Sequence, residues 1–189
     1  WVGWSLESQR PDGFFGPVTN DDWWPRMVVL KTLTQYHEAT GDSRVIPFLE
    51  RYLAYQRRHL NERPLTKWGE ARGAENVLSI LWLYRRTGDQ ALLELARTIT
   101  SQTLDWGRFF SEFPIRDKFT AGFGHLTHVV NVAMGIKEPV LRYLLTGDNS
   151  HRDAFYAGIS NLDRYHGQAT DMFSGDEWLA GREPTQGVE

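Results

Sequence analysis

The sequence predicts an all-α protein built as an array of helical hairpins, and three observations carry that reading. The tripeptide Thr-Gly-Asp recurs at Thr40–Asp42, Thr87–Asp89 and Thr146–Asp148, each time closing an apolar run. Glycine tolerates the left-handed backbone that ends a helix, and an aspartate after it accepts hydrogen bonds from the first free amides of the next one. Around each tripeptide the apolar residues fall three and four positions apart, the spacing of a buried helical stripe. Finally, the segments between hairpins are longer and richer in Gly, Pro and aromatics, so tight turns lie at one end of the array and elaborate loops at the other. Function usually sits on the elaborate end.

The first hairpin places Met27, Leu30, Leu33 and Tyr36 before its turn and Val45, Phe48, Leu49, Tyr52 and Leu53 after it. The second pairs Val77, Ile80, Leu81 and Tyr84 with Leu92, Leu95, Ala96, Ile99 and Leu104. In the third, Val129, Val130, Ala133, Val140 and Leu144 lead in and Phe155, Ile159 and Leu162 lead out, with a kink expected at Pro139. The connectors ERPLTKWGEARGA and WGRFFSEFPIRDKFTAGFGH read as loops, and GFFGPV and TDMFSG could each form a short strand on the loop face. A period of roughly 45 to 60 residues fits either an open solenoid or a closed double ring of helices. Each hairpin must cover the apolar flank of its neighbour, so three hairpins leave two raw edges and the chain reads as part of a ring.

Composition narrows the function. A chain of 189 residues, 41% hydrophobic, can bury one sizeable core, and one domain is expected. A net charge of -3 with no block of Lys or Arg argues against a nucleic-acid partner. No apolar run approaches the length of a membrane span, and an opening on Trp1 without a charged-then-apolar leader reads as a trimmed start. Cysteine is absent, which removes disulfides, thiolate metal sites and a cysteine nucleophile from these residues. Eight tryptophans offer flat surfaces suited to the C–H faces of a sugar ring. Phosphate-cradling loops, a G-x-S-x-G elbow and an H-E-x-x-H helix do not occur.

Four groups of residues have the chemistry of a site. In FSGDEWLAG, Asp176 and Glu177 follow Gly175 between Phe173 and Trp178. A carboxyl lodged among rings loses hydration, which favours the neutral form a general acid needs. Glu189 is a second acid twelve residues on, and glycoside hydrolysis commonly uses two carboxyl groups that converge in space. In GHLTHVVN, His125, His128 and Asn131 recur every third residue near a helix start, where imidazoles and an amide suit sugar hydroxyls better than an incomplete zinc set. In DDWWPR, one of Asp21 and Asp22 serves as a helix cap and the other, with Trp24, is a candidate for ligand contact. His166, just past the last helix, is a similar candidate, although the helix dipole alone accounts for a histidine there.

Taken together, DDWWPRMVVLKTLTQYHEATGD, THVVNVAMGIKEPVLRYLLTGD, NLDRYHGQ and FSGDEWLAGREPTQGVE resemble the β-L-arabinofuranosidase family, glycoside hydrolase family 127. The resemblance implies an (α/α)6 barrel, of which residues 1–189 would be a part truncated at both ends. It implies retaining hydrolysis of an L-arabinofuranoside in plant-derived glycans, by a cysteine nucleophile held at a zinc ion that a glutamate and cysteines ligate. Residue by residue, it makes Glu177 the general acid/base, with Asp176 adjacent. It makes Glu189 the glutamate that opens the zinc motif, its cysteines lying outside this chain, and His128 a sugar-binding histidine. Asp22, Trp24, His125, Asn131, His166, Asp176 and Trp178 complete the expected substrate contacts. One departure stands out: where many members read Gly-His-x-Glu, this chain reads Arg72-Gly73-Ala74-Glu75-Asn76. These residues alone are expected to be inactive, having no thiolate. Two other readings use the same helices: another (α/α)6 sugar enzyme such as an unsaturated uronyl hydrolase or an epimerase, or a carbohydrate-binding array that does no chemistry.

Overall fold

The computed structural model describes residues 1–20, 22–173, 175 and 177–182. Among them ten helices form: α1 (Val2–Glu7), α2 (Trp24–Thr40), α3 (Val45–His59), α4 (Lys67–Ala71), α5 (Gly73–Thr87), α6 (Gln90–Gln102), α7 (Trp106–Glu112), α8 (Val129–Gly135), α9 (Lys137–Thr146) and α10 (Asn149–His166). The all-α class and the three hairpins are therefore present. No strand forms among the described residues, only isolated antiparallel bridges joining His128 to Trp178, Gly167 to Phe173 and Gly175 to Leu179. GFFGPV and TDMFSG are thus loops, the first burying Phe14 and Phe15 and the second contributing single bridge residues. Nor is there one compact body: the chain divides into Trp1–Thr103 and Leu104–Glu189.

All three Thr-Gly-Asp turns are built alike. Gly41, Gly88 and Gly147 adopt φ of 68, 71 and 74°, and their amides donate to His37, Tyr84 and Tyr143 to close the preceding helices. Each threonine hydroxyl donates back to its own helix, at Tyr36, Leu83 and Arg142 O, and accepts from the aspartate amide. The aspartate carboxylates then accept from Arg44, Ala91 and Ser150 N, occupying amides that a helix start leaves open. For Asp42 and Asp148 these bonds, joined at Asp42 by the Arg44 guanidinium, favour the charged form and hold the carboxyls below their ordinary range.

In the first unit α2 lies on α5 and α5 on α6, burying Leu30, Leu33, Val45, Leu49, Tyr52, Ile80 and Ile99 as the stripes require. In the second, Trp106, Phe109, Phe110 and Phe113 of α7 and its end meet Val129, Val132 and Leu162. Here the expected stripe fails in part, since Ala133, Leu144 and Ile159 are exposed. Ala133 and Leu144 lie on either side of a one-residue break at Ile136 that separates α8 from α9, and Ile159 lies on α10. Pro139 has no amide for the carbonyl of Gly135 four residues earlier, and its ring crowds that carbonyl, so the expected kink takes the form of a one-residue interruption at Ile136, whose backbone stays right-handed helical. A side chain at Gly135 would collide with the Trp106 ring, and one at Gly158 with Phe110 and Ile136, so both helices approach α7 only through glycine. The connectors hold two helices that periodicity did not reveal, α4 and α7.

Candidate active site

The second unit gathers a carboxylate and two imidazoles on two loops. The first loop is a turn at residues 124–128, in which Thr127 and His128 amides both donate to Gly124 O. His128 then caps α8: its backbone is extended, and its Nδ1 accepts from Asn131 N at 3.4 Å. His125 and His128 therefore precede the helix and do not share a face of it with Asn131, as their spacing suggested. Asn131 is wholly buried and spends its amide inside the protein, donating from Nδ2 to His125 O at 3.0 Å. This bond ties α8 to the loop that carries His125.

The second loop is the strap 175–182. Gly175 bridges Leu179, so the chain reverses between them and places Glu177 at the bend. Val129 N donates to Glu177 O at 3.0 Å, and Trp178 bridges His128, which locks the bend to the start of α8. Gly175 is required by this closeness, because a side chain there would strike Trp178 O and Val129. As a result His128 Nε2 stands 3.3 Å from Glu177 Oε2. With Nδ1 engaged as an acceptor, the proton of neutral His128 belongs on Nε2, facing the carboxylate. The Glu177 side chain is 57% exposed, so the neighbouring rings border it without burying it as expected.

Trp178 is half-buried beside the acid, and its indole Nε1 is buried without a hydrogen-bond partner among the described residues. Phe123, exposed on the rim, sets its ring edge-on to His125 at 5.3 Å and to His128 at 6.0 Å. Sequence reasoning missed Phe123. Its place between two glycines, two residues before His125, is the signal that pointed to it.

His166 has a different place from the one expected. It is fully buried, its Nε2 donates to Ile115 O at 2.8 Å, and its Nδ1 accepts from Gly181 N at 2.9 Å. Both ring nitrogens are used, so no nitrogen is left for a sugar hydroxyl and the residue ties the strap to the end of α10. Burial disfavours its cation and lowers its pKa.

Asp22 and Trp24 belong to the first unit. Asp22 Oδ1 accepts from Trp24 N at 2.9 Å, which makes Asp22 the residue that fixes the start of α2. Trp24 carries the Arg72 guanidinium 4.5 Å from its ring centroid, and the same guanidinium lies 4.5 Å from Trp68. One face of Trp24 is thus given to a cation–π contact. Glu75, the acid retained in the departing motif, is buried and paired with Lys31 at 3.0 Å, while a side chain at Gly73 would strike Thr103. Asp21, Asp176 and Glu189 lie outside the described residues.

The zinc that the resemblance implies finds no ligand set here: among the described residues no three His, Asp or Glu side chains come together as a metal group, and the chain has no cysteine. No described helix is long and apolar enough to cross a membrane. No curated protein and no solved structure matches the chain. One family model does match, over residues 3–177: beta-L-arabinofuranosidase, GH127 catalytic domain.

Proposed function

We propose, for a chain that belongs to the β-L-arabinofuranosidase family through its GH127 catalytic domain, that Glu177 is the general acid/base of a retaining β-L-arabinofuranosidase. Membership makes the chain glycosidase in kind and its substrate a carbohydrate. The finer reading is terminal L-arabinofuranosides of plant-derived glycans, which follows the family; the observation that supports Glu177 as the acid is the 3.3 Å approach of His128 Nε2 to its Oε2.

In this reading His128 holds one carboxylate oxygen and leaves the other to the substrate. Glu177 gives its proton to the glycosidic oxygen as the bond to the anomeric carbon breaks, and the leaving alcohol departs neutral. The carboxylate that remains faces the Nε2 proton of His128. It then takes a proton from the water that attacks the sugar–enzyme bond, which restores the acid and releases arabinose with its configuration retained. His125 and Trp178 border the sugar, the first through hydroxyl contacts and the second through its ring. The nucleophile would be a cysteine, which these residues do not contain, and Glu189 together with further cysteines would hold the zinc. No step above passes through the metal, and residues 1–189 alone do not turn over.

The test is Glu177→Gln in a form of the enzyme that includes the cysteine. Turnover on substrates with poor leaving groups is expected to fall by about 10²- to 10⁴-fold. Wild-type rates in that variant would remove Glu177 from the role.

A further inference from the structure

The strap that presents Glu177 continues into a second feature of the same unit. Phe119 N donates to Leu179 O and Gly181 N to His166 Nδ1, both at 2.9 Å, which pins residues 179–181 between the segment after α7 and the end of α10. A groove of about 270 Å³ lies there, lined by Arg116, Lys118, Arg164 and Arg182 together with Asp117 and Tyr165. Among the described residues the lining holds four cations, Arg116, Lys118, Arg164 and Arg182, and one carboxylate, Asp117.

Tyr165 is the aromatic residue of this lining. Tyr165 stacks on Phe113, with ring centroids 6.3 Å apart and planes 11° from parallel. The guanidiniums of Arg116 and Arg164 lie 5.8 and 5.4 Å from the Tyr165 ring centroid. Among the described residues, Arg116, Arg164 and Arg182 have no carboxylate at ion-pair distance. Like charges gathered in this way repel one another, and an anion entering between them relieves the repulsion while accepting charge-assisted hydrogen bonds. Guanidinium forks match a planar carboxylate, and the packing of Tyr165 on Phe113 with Arg116 and Arg164 beside its ring holds the two forks close together.

We propose that this groove binds an acidic sugar residue, a uronate, of the glycan whose terminal sugar reaches Glu177. Only four residues of strap separate Glu177 from Gly181, at most about 14 Å of extended chain, so a short oligosaccharide spans both. The choice of a sugar rests on the glycosidase reading; the groove itself does not.

The test is a binding measurement on the 189-residue chain, which succeeds or fails whether or not any bond is cleaved. Three probes are titrated: trigalacturonate, arabinotriose and inorganic sulfate. Trigalacturonate is expected to bind about ten-fold or more tighter than either of the others, because only it brings planar carboxylates, spaced along a chain, to several guanidinium forks at once. Arg116→Gln with Arg164→Gln should weaken it about ten-fold without changing the melting temperature, since both side chains are exposed and two charge-assisted contacts are lost. Salt that shortens the Debye length to about 3 Å should weaken it likewise. Sulfate or arabinotriose binding as tightly as trigalacturonate, or equal affinity in the double variant, overturns the proposal. Hydrolysis by Glu177→Gln is read separately, in a form of the enzyme that includes the cysteine, so wild-type rates there overturn the reading of the acid and leave the trigalacturonate result for this groove standing.

Discussion

His128 is joined to the strap twice, through its backbone bridge to Trp178 and through the 3.3 Å approach of its Nε2 to Glu177 Oε2. The same ring caps α8 through Nδ1. One residue therefore starts a helix with one nitrogen and faces the acid with the other, and the two tasks can be separated by substitution.

His128→Ala loses both tasks, and its unfolding free energy should drop by about 1 kcal/mol, the cost of a lost cap. His128→Asn keeps a side-chain acceptor for the Asn131 amide and should recover most of that stability. Neither has a ring nitrogen to face Glu177, so in a cysteine-containing form of the enzyme both should lower kcat. Denaturant melts and kinetics on the two variants check this, and an active His128→Asn enzyme would reduce His128 to a cap.

At Gly175 the strap touches Val129 and the carbonyl of Trp178 with no room for a side chain. Gly175→Ala must push the strap outward, at a cost of about 1 to 3 kcal/mol for overpacking. The bend at Glu177 moves with it, so activity should fall more than stability alone accounts for. A melt and a rate at a temperature where the variant is folded distinguish the two effects.

Nothing lies within 4 Å of a side chain added at Gly41, Gly88 or Gly147, yet all three sit at positive φ. Alanine there meets only backbone strain, so each single change should cost about 1 to 2 kcal/mol. Asparagine, which tolerates that conformation, should cost less. Equal losses for Ala and Asn would place the cost elsewhere.

Acid should destabilise the protein through His166. Its folded pKa lies below the unfolded value of 6.5, so the unfolded chain binds the extra proton. The stability it contributes is whole above that unfolded value and is lost as pH falls through the window down to the folded pKa, with a slope of at most about 1.4 kcal/mol per pH unit. Buried Glu138, whose pKa is raised by desolvation, works in the opposite sense at lower pH, so the difference between the protein and His166→Gln isolates the histidine. Denaturant unfolding of both across the acid range should show a pH-dependent gap that narrows as pH drops.

Local signals were legible in the sequence and long-range ones were not. The Thr-Gly-Asp turns and the interruption ahead of Pro139 depend on neighbours in the chain, and both appear where residue chemistry put them. His128 was legible as a polar residue at a helix start, but its place before α8, not on it, depends on the turn at Gly124. Helices α4 and α7 were hidden because their Trp, Phe and Gly residues follow tertiary partners and not a stripe, as Gly135 against Trp106 illustrates. The role of His166 could not be foreseen, since its partners Ile115 and Gly181 lie 51 and 15 residues away.

Every hydrogen bond that shapes a Thr-Gly-Asp turn stays within a few residues of it, from Tyr36 to Arg44 in the first case. Such a corner is self-contained. Its geometry survives changes elsewhere, and a graft that replaces a whole helical pair while keeping the tripeptide inherits the same reversal of direction. The chemistry-bearing loops, held by contacts far apart in the chain, have no such portability, so they can diverge from one relative to the next while the corners stay the same.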